Sequence, residues 1–208
     1  AIDRANKVIS YVEVVDDPTL RAQYEGEAMF LRAHLYFNLV RLWGPVFLVT
    51  KKTGADEARY MQRSPVEEIY ALIEGDLNAI IDNNMLPEQS AAADLGRATM
   101  PAAKGLLAKV YMTRYEVGSE NYMKAGDLLR DVLASAGHPQ SGAALVPSAQ
   151  IFPIDNEMTN EIIFPVRYLA SNARRARPPR QPLRPPHHGT HALCVPPHTH
   201  TPPSAPTI

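Results

Sequence analysis

From Leu20 onward the apolar positions fall into a helical rhythm. Leu20, Tyr24, Ala28, Leu31, Leu35, Leu39 and Leu42 recur at intervals of three or four residues, which places them on one face of a helix. Met29, Ala33, Tyr36, Val40 and Trp43 form a second apolar stripe on the same element. A helix with two apolar stripes is packed on two sides, so it is predicted to be central rather than superficial. Its ends are marked: Asp17 can cap, Pro18 suits the first turn, and Gly44-Pro45 stops it. Before it, Ile2, Val8, Ile9 and Val12 give a shorter helical pattern over residues 2–14.

Further helices follow. Pro45–Thr50 is short and β-branched and reads as extended; residues 51–62 read as a polar loop. Ser64-Pro65-Val66-Glu67 has the form of a capping box, opening a helix that buries Val66, Ile69, Tyr70, Ile73, Leu77, Ile80 and Ile81 and ends near Asn83-Asn84. After a polar loop over 88–97, a helix from Pro101 to about Tyr115 turns inward Ala103, Leu106, Leu107, Val110 and Tyr111. Beyond a Gly118-Ser119 turn, another runs from about Asn121 to Ala134 with Tyr122, Ala125, Leu128, Leu129, Val132 and Leu133 buried. Residues 138–160 look loop-like, and 161–168 predicts a strand that Pro165 demotes to an edge. The unit 101–134 has the period and logic of a tetratricopeptide (TPR) repeat, and helices 18–43 and 65–83 offer a second pair. The expected fold is therefore mainly α, built of TPR-like helical hairpins.

Composition divides the chain of 208 residues in two. Net charge is −1 overall, but residues 170–208 hold ten of the 19 prolines, five of the seven histidines and no acid. Residues 1–169 read as one acidic helical domain and 170–208 as a disordered Pro/His/Arg-rich tail. The tail's composition is also that of a GC-rich frame read out of register. The absence of a basic surplus argues against nucleic acid as a partner. The single cysteine, Cys194, excludes an intrachain disulfide and a Cys-based zinc site. No apolar run approaches the roughly 20 residues that span a bilayer. The chain opens inside a helical pattern, without a start Met or leader, and reads as an internal fragment.

Catalytic signals are weak: there is no Gly-rich phosphate loop, Gly-x-Ser-x-Gly or His-Glu-x-x-His. Carboxylate neighbours such as Glu67/Glu68 and Glu25/Glu27 fit first-turn or surface positions. His34 falls on the polar strip of the long helix with Glu27, Asn38 and Arg41 and reads as solvated surface. Arg32 lies between the two apolar stripes, so it either snorkels to water or pairs with a carboxylate, for which Glu25 is a candidate. A sugar would stack on flat aromatic rings. Trp43, Tyr36, Tyr60 and Tyr168 are candidates by type, with Trp43 and Tyr36 expected in the core and Tyr60 and Tyr168 freer. His187, His188, His191, His198 and His200 have spacing that can bind Zn²⁺ or Ni²⁺, but in a Pro-rich segment this reads as adventitious affinity. No metal or cofactor is expected.

Residues 26–50, GEAMFLRAHLYFNLVRLWGPVFLVT, resemble the signature helix and following strand of the SusD/RagB family. Arg63-Ser64-Pro65-Val66-Glu67-Glu68-Ile69-Tyr70 with Asp76-Leu77 and Leu86-Pro87, then Gly96-Arg97-Ala98-Thr99 followed by Ala102-Ala103, Leu106-Leu107-Ala108-Lys109-Val110-Tyr111, and then Asn160-Glu161-Ile162-Ile163-Phe164, are similar to successive family segments in order. The resemblance covers residues 1–168. It implies a surface-exposed outer-membrane lipoprotein with a TPR-like scaffold and no catalytic activity, which binds glycan or other nutrients and forms a lid on a SusC-like, TonB-dependent transporter. It implies membrane association only through a lipid anchor that this chain lacks. Its ligand residues lie mostly in loops and in the C-terminal half, so no ligand-binding position carries over. A generic TPR scaffold for protein–protein interaction is the alternative, and a glycoside hydrolase would need two facing carboxylates.

Overall fold

The computed structural model describes residues 1–51, 53–91, 94, 96–135, 147 and 162–166. Among these, six α-helices follow one another: α1 (Ile2–Tyr11), α2 (Pro18–Trp43), α3 (Ala55–Tyr60), α4 (Val66–Asp82), α5 (Met100–Arg114) and α6 (Glu120–Ala134). A 3₁₀ turn, Val12–Val14, follows α1. Helix α1 packs on α2, α2 on α4, α4 on α5 and α5 on α6, so each main helix rests on its neighbours in a stack. This is the pairwise logic of helical repeats, in which no unit buries its apolar face alone. The compact unit spans Ala1–Arg167. The Pro/His/Arg-rich tail, Cys194 and the five tail histidines lie outside the described residues.

Local chemistry explains most of the boundaries. Asp17 Oδ1 accepts the amides of Thr19 and Leu20 at 2.8 and 3.2 Å, satisfying two free donors at the start of α2. Gly44, at φ +64°, ends that helix. Ser119 Oγ caps α6 by accepting the Tyr122 amide at 3.3 Å. Helix α4 closes with a Schellman motif: Met85 N donates to Ile80 O, Asn84 N donates to Ile81 O, and Asn84 takes the left-handed conformation.

Three local expectations are corrected. Ser64 does not cap α4. Its amide donates to Val46 O at 2.9 Å in an isolated antiparallel bridge, and the helix begins at Val66 with Pro65 in the cap position. The loop expected over 51–62 contains α3, a helix too short to show apolar periodicity. The segment after Gly44, expected to be extended, takes part in that single bridge at Val46. Residues 162–166 form a bend, not an edge strand; the rest of the expected strand lies outside the described residues.

The core is centred on a face of α2 that the leucine rhythm does not mark. Phe30, Ala33, Tyr36, Phe37 and Val40 are buried against Ile69, Ile73, Leu77 and Ile80 of α4 and Ala103, Leu107 and Val110 of α5. Tyr24, Leu31 and Leu42 of the leucine stripe are exposed instead. Helix α2 is apolar around most of its circumference, so periodicity alone does not single out the face with the larger rings. On α6 only Ala125 and Val132 are buried, and Leu129 and Leu133 are exposed. At Gly26 α2 runs so close to the Met85-Leu86 turn that an added Cβ would sit 2.9 Å from Met85 Cβ.

Candidate functional site

Two surfaces stand out, and both are organised by α2. The first is its C-terminal end. Trp43, expected in the core, is 63% exposed; Phe47, just beyond the Gly44 turn, is 50% exposed, and Tyr60 at the end of α3 is 84% exposed. Leu42 is exposed beside Trp43. Three elements hold this region in shape. The Val46–Ser64 bridge ties the chain after α2 to the chain after α3. The Tyr36 hydroxyl, buried as expected, accepts the Val49 amide at 2.7 Å and faces the carbonyls of Val49 and Phe47 at 3.1 and 3.4 Å. Burial raises the Tyr36 pKa above its ordinary value, which keeps the phenol protonated as a donor. Asn6 of α1 adds a bond from Nδ2 to Val49 O at 2.7 Å. The outcome is a pinned loop flanked by aromatic side chains that face water.

A buried charge lies beneath. Arg32 donates to both Asp76 carboxylate oxygens, Nε to Oδ2 at 2.8 Å and Nη2 to Oδ1 at 2.7 Å, and its Nη1 donates to Asn6 Oδ1 at 3.0 Å. Of the two readings of Arg32, the ion pair holds, but with Asp76 of α4 in place of Glu25. Burial raises the Asp76 pKa and the guanidinium works in the opposite direction. All three side chains are buried, with Arg32 bonded to both of the others, and together they join α1, α2 and α4. This network braces the scaffold and offers no free group for chemistry.

The second surface is a groove of about 760 Å³ between α1 and α2. Val8, Tyr11, Val12 and Val15 line one wall and Tyr24, Ala28, Leu31 and Leu35 the other, with Phe164 and Val166 also contributing. Its polar members are mostly engaged. Arg97 donates to both oxygens of Glu27 at 2.8 and 3.0 Å, and His34 lies 3.2 Å from Asn38 Nδ2. His34 is thus half-buried, not solvated, near the rings of Phe30 and Phe164, and burial, then Lys109 and Arg41, lowers its pKa.

Glu67 and Glu68 are exposed in the first turn of α4. His138 and Tyr168 lie outside the described residues. Among the described residues no three His, Cys, Asp or Glu side chains are grouped so as to hold a metal, and no helix is long and apolar enough to cross a membrane. The exposure of Phe47 was not read from the sequence, because it sits in an extended segment without periodic context.

The pairwise helix stack defines a TPR-like, mainly α scaffold that presents an aromatic end and an apolar groove. A SusD-like family model, described as starch-binding associating with outer membrane, matches residues 1–112, and the chain belongs to that family. A SusD-like protein of Bacteroides ovatus is 34% identical over 176 residues, covering 81% of this chain and 31% of the relative. The crystal structure of a SusD-like protein from Bacteroides fragilis matches with a TM-score of 0.65 at 27% identity, over 81% of this chain and 32% of the other. A laminarin binding SusD-like protein matches with a TM-score of 0.50 at 29% identity, over 62% of this chain and 26% of the other. The chain therefore spans about a third of the length of its relatives.

Proposed function

We propose that this chain is the helical part of a glycan-binding protein at the bacterial outer surface, which holds an oligosaccharide without covalent chemistry and passes it to a SusC-like TonB-dependent transporter. Family membership carries the reading, because the family's description is that of a starch-binding protein associated with the outer membrane. The laminarin-binding relative adds a chemical class of ligand. We assign Trp43, Phe47 and Tyr60 as the stacking surface, since flat exposed rings meet the C–H faces of a pyranose and the pinned loop limits the ordering needed on binding. In the same reading residues 1–169 act as the scaffold, with 170–208 separate from it. The alternative, a generic TPR adaptor for peptides, would need a concave groove lined by free polar side chains, and the groove here is mostly apolar, with Glu27, Arg97 and His34 already bonded.

Isothermal titration with laminari-oligosaccharides tests the binding role. The expected result is saturable binding, weakened about tenfold by Trp43→Ala, a loss of the size of one aromatic stack. The sugar should be recovered uncut, and a SusC-like transporter should be retained in a pull-down. Absence of both binding and retention would remove the proposed role. Cleaved sugar would make the protein a hydrolase.

A further inference from the structure

The stacking surface of Trp43, Phe47 and Tyr60 stands in a stretch of distinct charge. Residues 41–63 contain five basic residues and two acids, whereas residues 1–169 as a whole contain 16 and 22. An otherwise acidic domain thus gathers positive charge in the segment that carries its exposed rings. A positive patch at a binding surface raises the local concentration of anions and favours them over neutral partners.

Two of these cations are placed beside the rings. The antiparallel bridge pairs Val46 with Ser64. Phe47 follows Val46 and Arg63 precedes Ser64, so the bridge sets Phe47 and Arg63 opposite each other. Opposed residues of such a pair have Cβ atoms about 5 Å apart. Val46 packs against the core. Side chains alternate along extended backbone, which turns Phe47 and Arg63 to the water side, and both are exposed. Arg59 precedes Tyr60 in the last turn of α3 and is exposed as well.

Neither guanidinium is committed elsewhere. Arg21, Arg32, Arg41, Arg97 and Arg114 each donate to a carbonyl or a carboxylate. Arg59 and Arg63 form no hydrogen bond or ion pair among the described residues, although Asp56, Glu67 and Glu68 are close in the chain. An arginine fork matches the two oxygens of a carboxylate. A sugar ring stacked on Phe47 would bring a carboxylate on its edge to Arg63, with no existing bond to displace.

We propose that the aromatic end takes acidic saccharides, with Arg63 and Arg59 selecting a uronate carboxylate over the hydroxymethyl group of a neutral sugar. This inference rests on the glycan reading and narrows it to a substrate class.

The probes are a laminari-oligosaccharide and the same oligosaccharide with its C6 hydroxymethyl groups oxidised to carboxylates. Each is titrated calorimetrically into the 208-residue chain at low salt. The oxidised sugar should bind about fivefold tighter, an advantage that fades as added salt screens the charges. Arg63→Gln combined with Arg59→Gln, both at exposed positions, should bring the two affinities together. Lys124→Gln, on the exposed surface of α6, should leave the gap unchanged. Equal affinities in the unaltered chain, or a gap that persists in the double variant, overturns this inference while the glycan reading stands. If neither sugar binds, both fall.

Discussion

Arg32 shows what one charge inside a helix stack demands. Its guanidinium is buried, and the bidentate contact with Asp76 plus the bond to Asn6 compensate its lost hydration. Asp76→Ala would strand that charge, and we expect a loss of about 3–5 kcal/mol in urea unfolding. Replacing both partners, Arg32→Met with Asp76→Leu, should restore most of it; a double variant as unstable as the single would contradict the account. The need for a partner was legible from the position of Arg32 between apolar stripes. The partner was not, because it comes from α4, 44 residues away, and helical spacing reveals only neighbours on one element. Tyr36→Phe removes the acceptor of the Val49 amide and should cost about 1 kcal/mol, with faster exchange of that amide. His34 gives a pH signature. Its folded pKa lies below the ordinary 6.5, so the unfolded chain takes up the proton first as pH falls. The stability contributed by the neutral ring is complete above about pH 6.5 and declines below it, towards the folded pKa. Melting curves from pH 7.5 to 5 should show this slope, and His34→Gln should flatten it.

Two glycines distinguish packing from propensity within the helices. Gly26 of α2 faces Met85 Cβ and Leu86 Cδ2, which an added methyl would meet at 2.9 and 3.2 Å. Gly75 of α4 has nothing within 4 Å of the same methyl. Gly26→Ala should therefore destabilise by about 1–3 kcal/mol through overpacking. Gly75→Ala should stabilise by up to about 1 kcal/mol through helix propensity. Thermal unfolding of the two variants checks the opposite signs. The elements themselves were largely legible, because Asp17-Pro18, Gly44-Pro45 and Gly118-Ser119 carry their own stop and start chemistry. The inward face of α2 was legible in part: the second apolar stripe marks Ala33, Tyr36 and Val40, which are buried, but not Phe30 and Phe37 beside them. A helix apolar nearly all round leaves the choice to tertiary packing, and Phe30 and Phe37 prevailed over the leucines. Likewise Trp43 belongs to an apolar stripe by spacing, yet it falls in the last turn of α2 and stays in water.

Across the molecule, family and fold were readable from four ordered blocks of sequence, since the helices of the first three blocks are one another's packing partners. Of the aromatics proposed as a stacking surface, the sequence marked only Tyr60 as free and placed Trp43 in the core, because exposure of an aromatic is decided by where its helix ends relative to its neighbours. The central claim is that this scaffold binds glycan passively at the aromatic end of α2. Trp43 is the sole tryptophan of the chain, so its fluorescence reports on that end alone. Titration with a laminari-oligosaccharide should produce a saturable shift in the Trp43 emission, with the sugar recovered intact. Emission that stays constant throughout the titration, or a signal that tracks cleavage of the sugar, would contradict the claim.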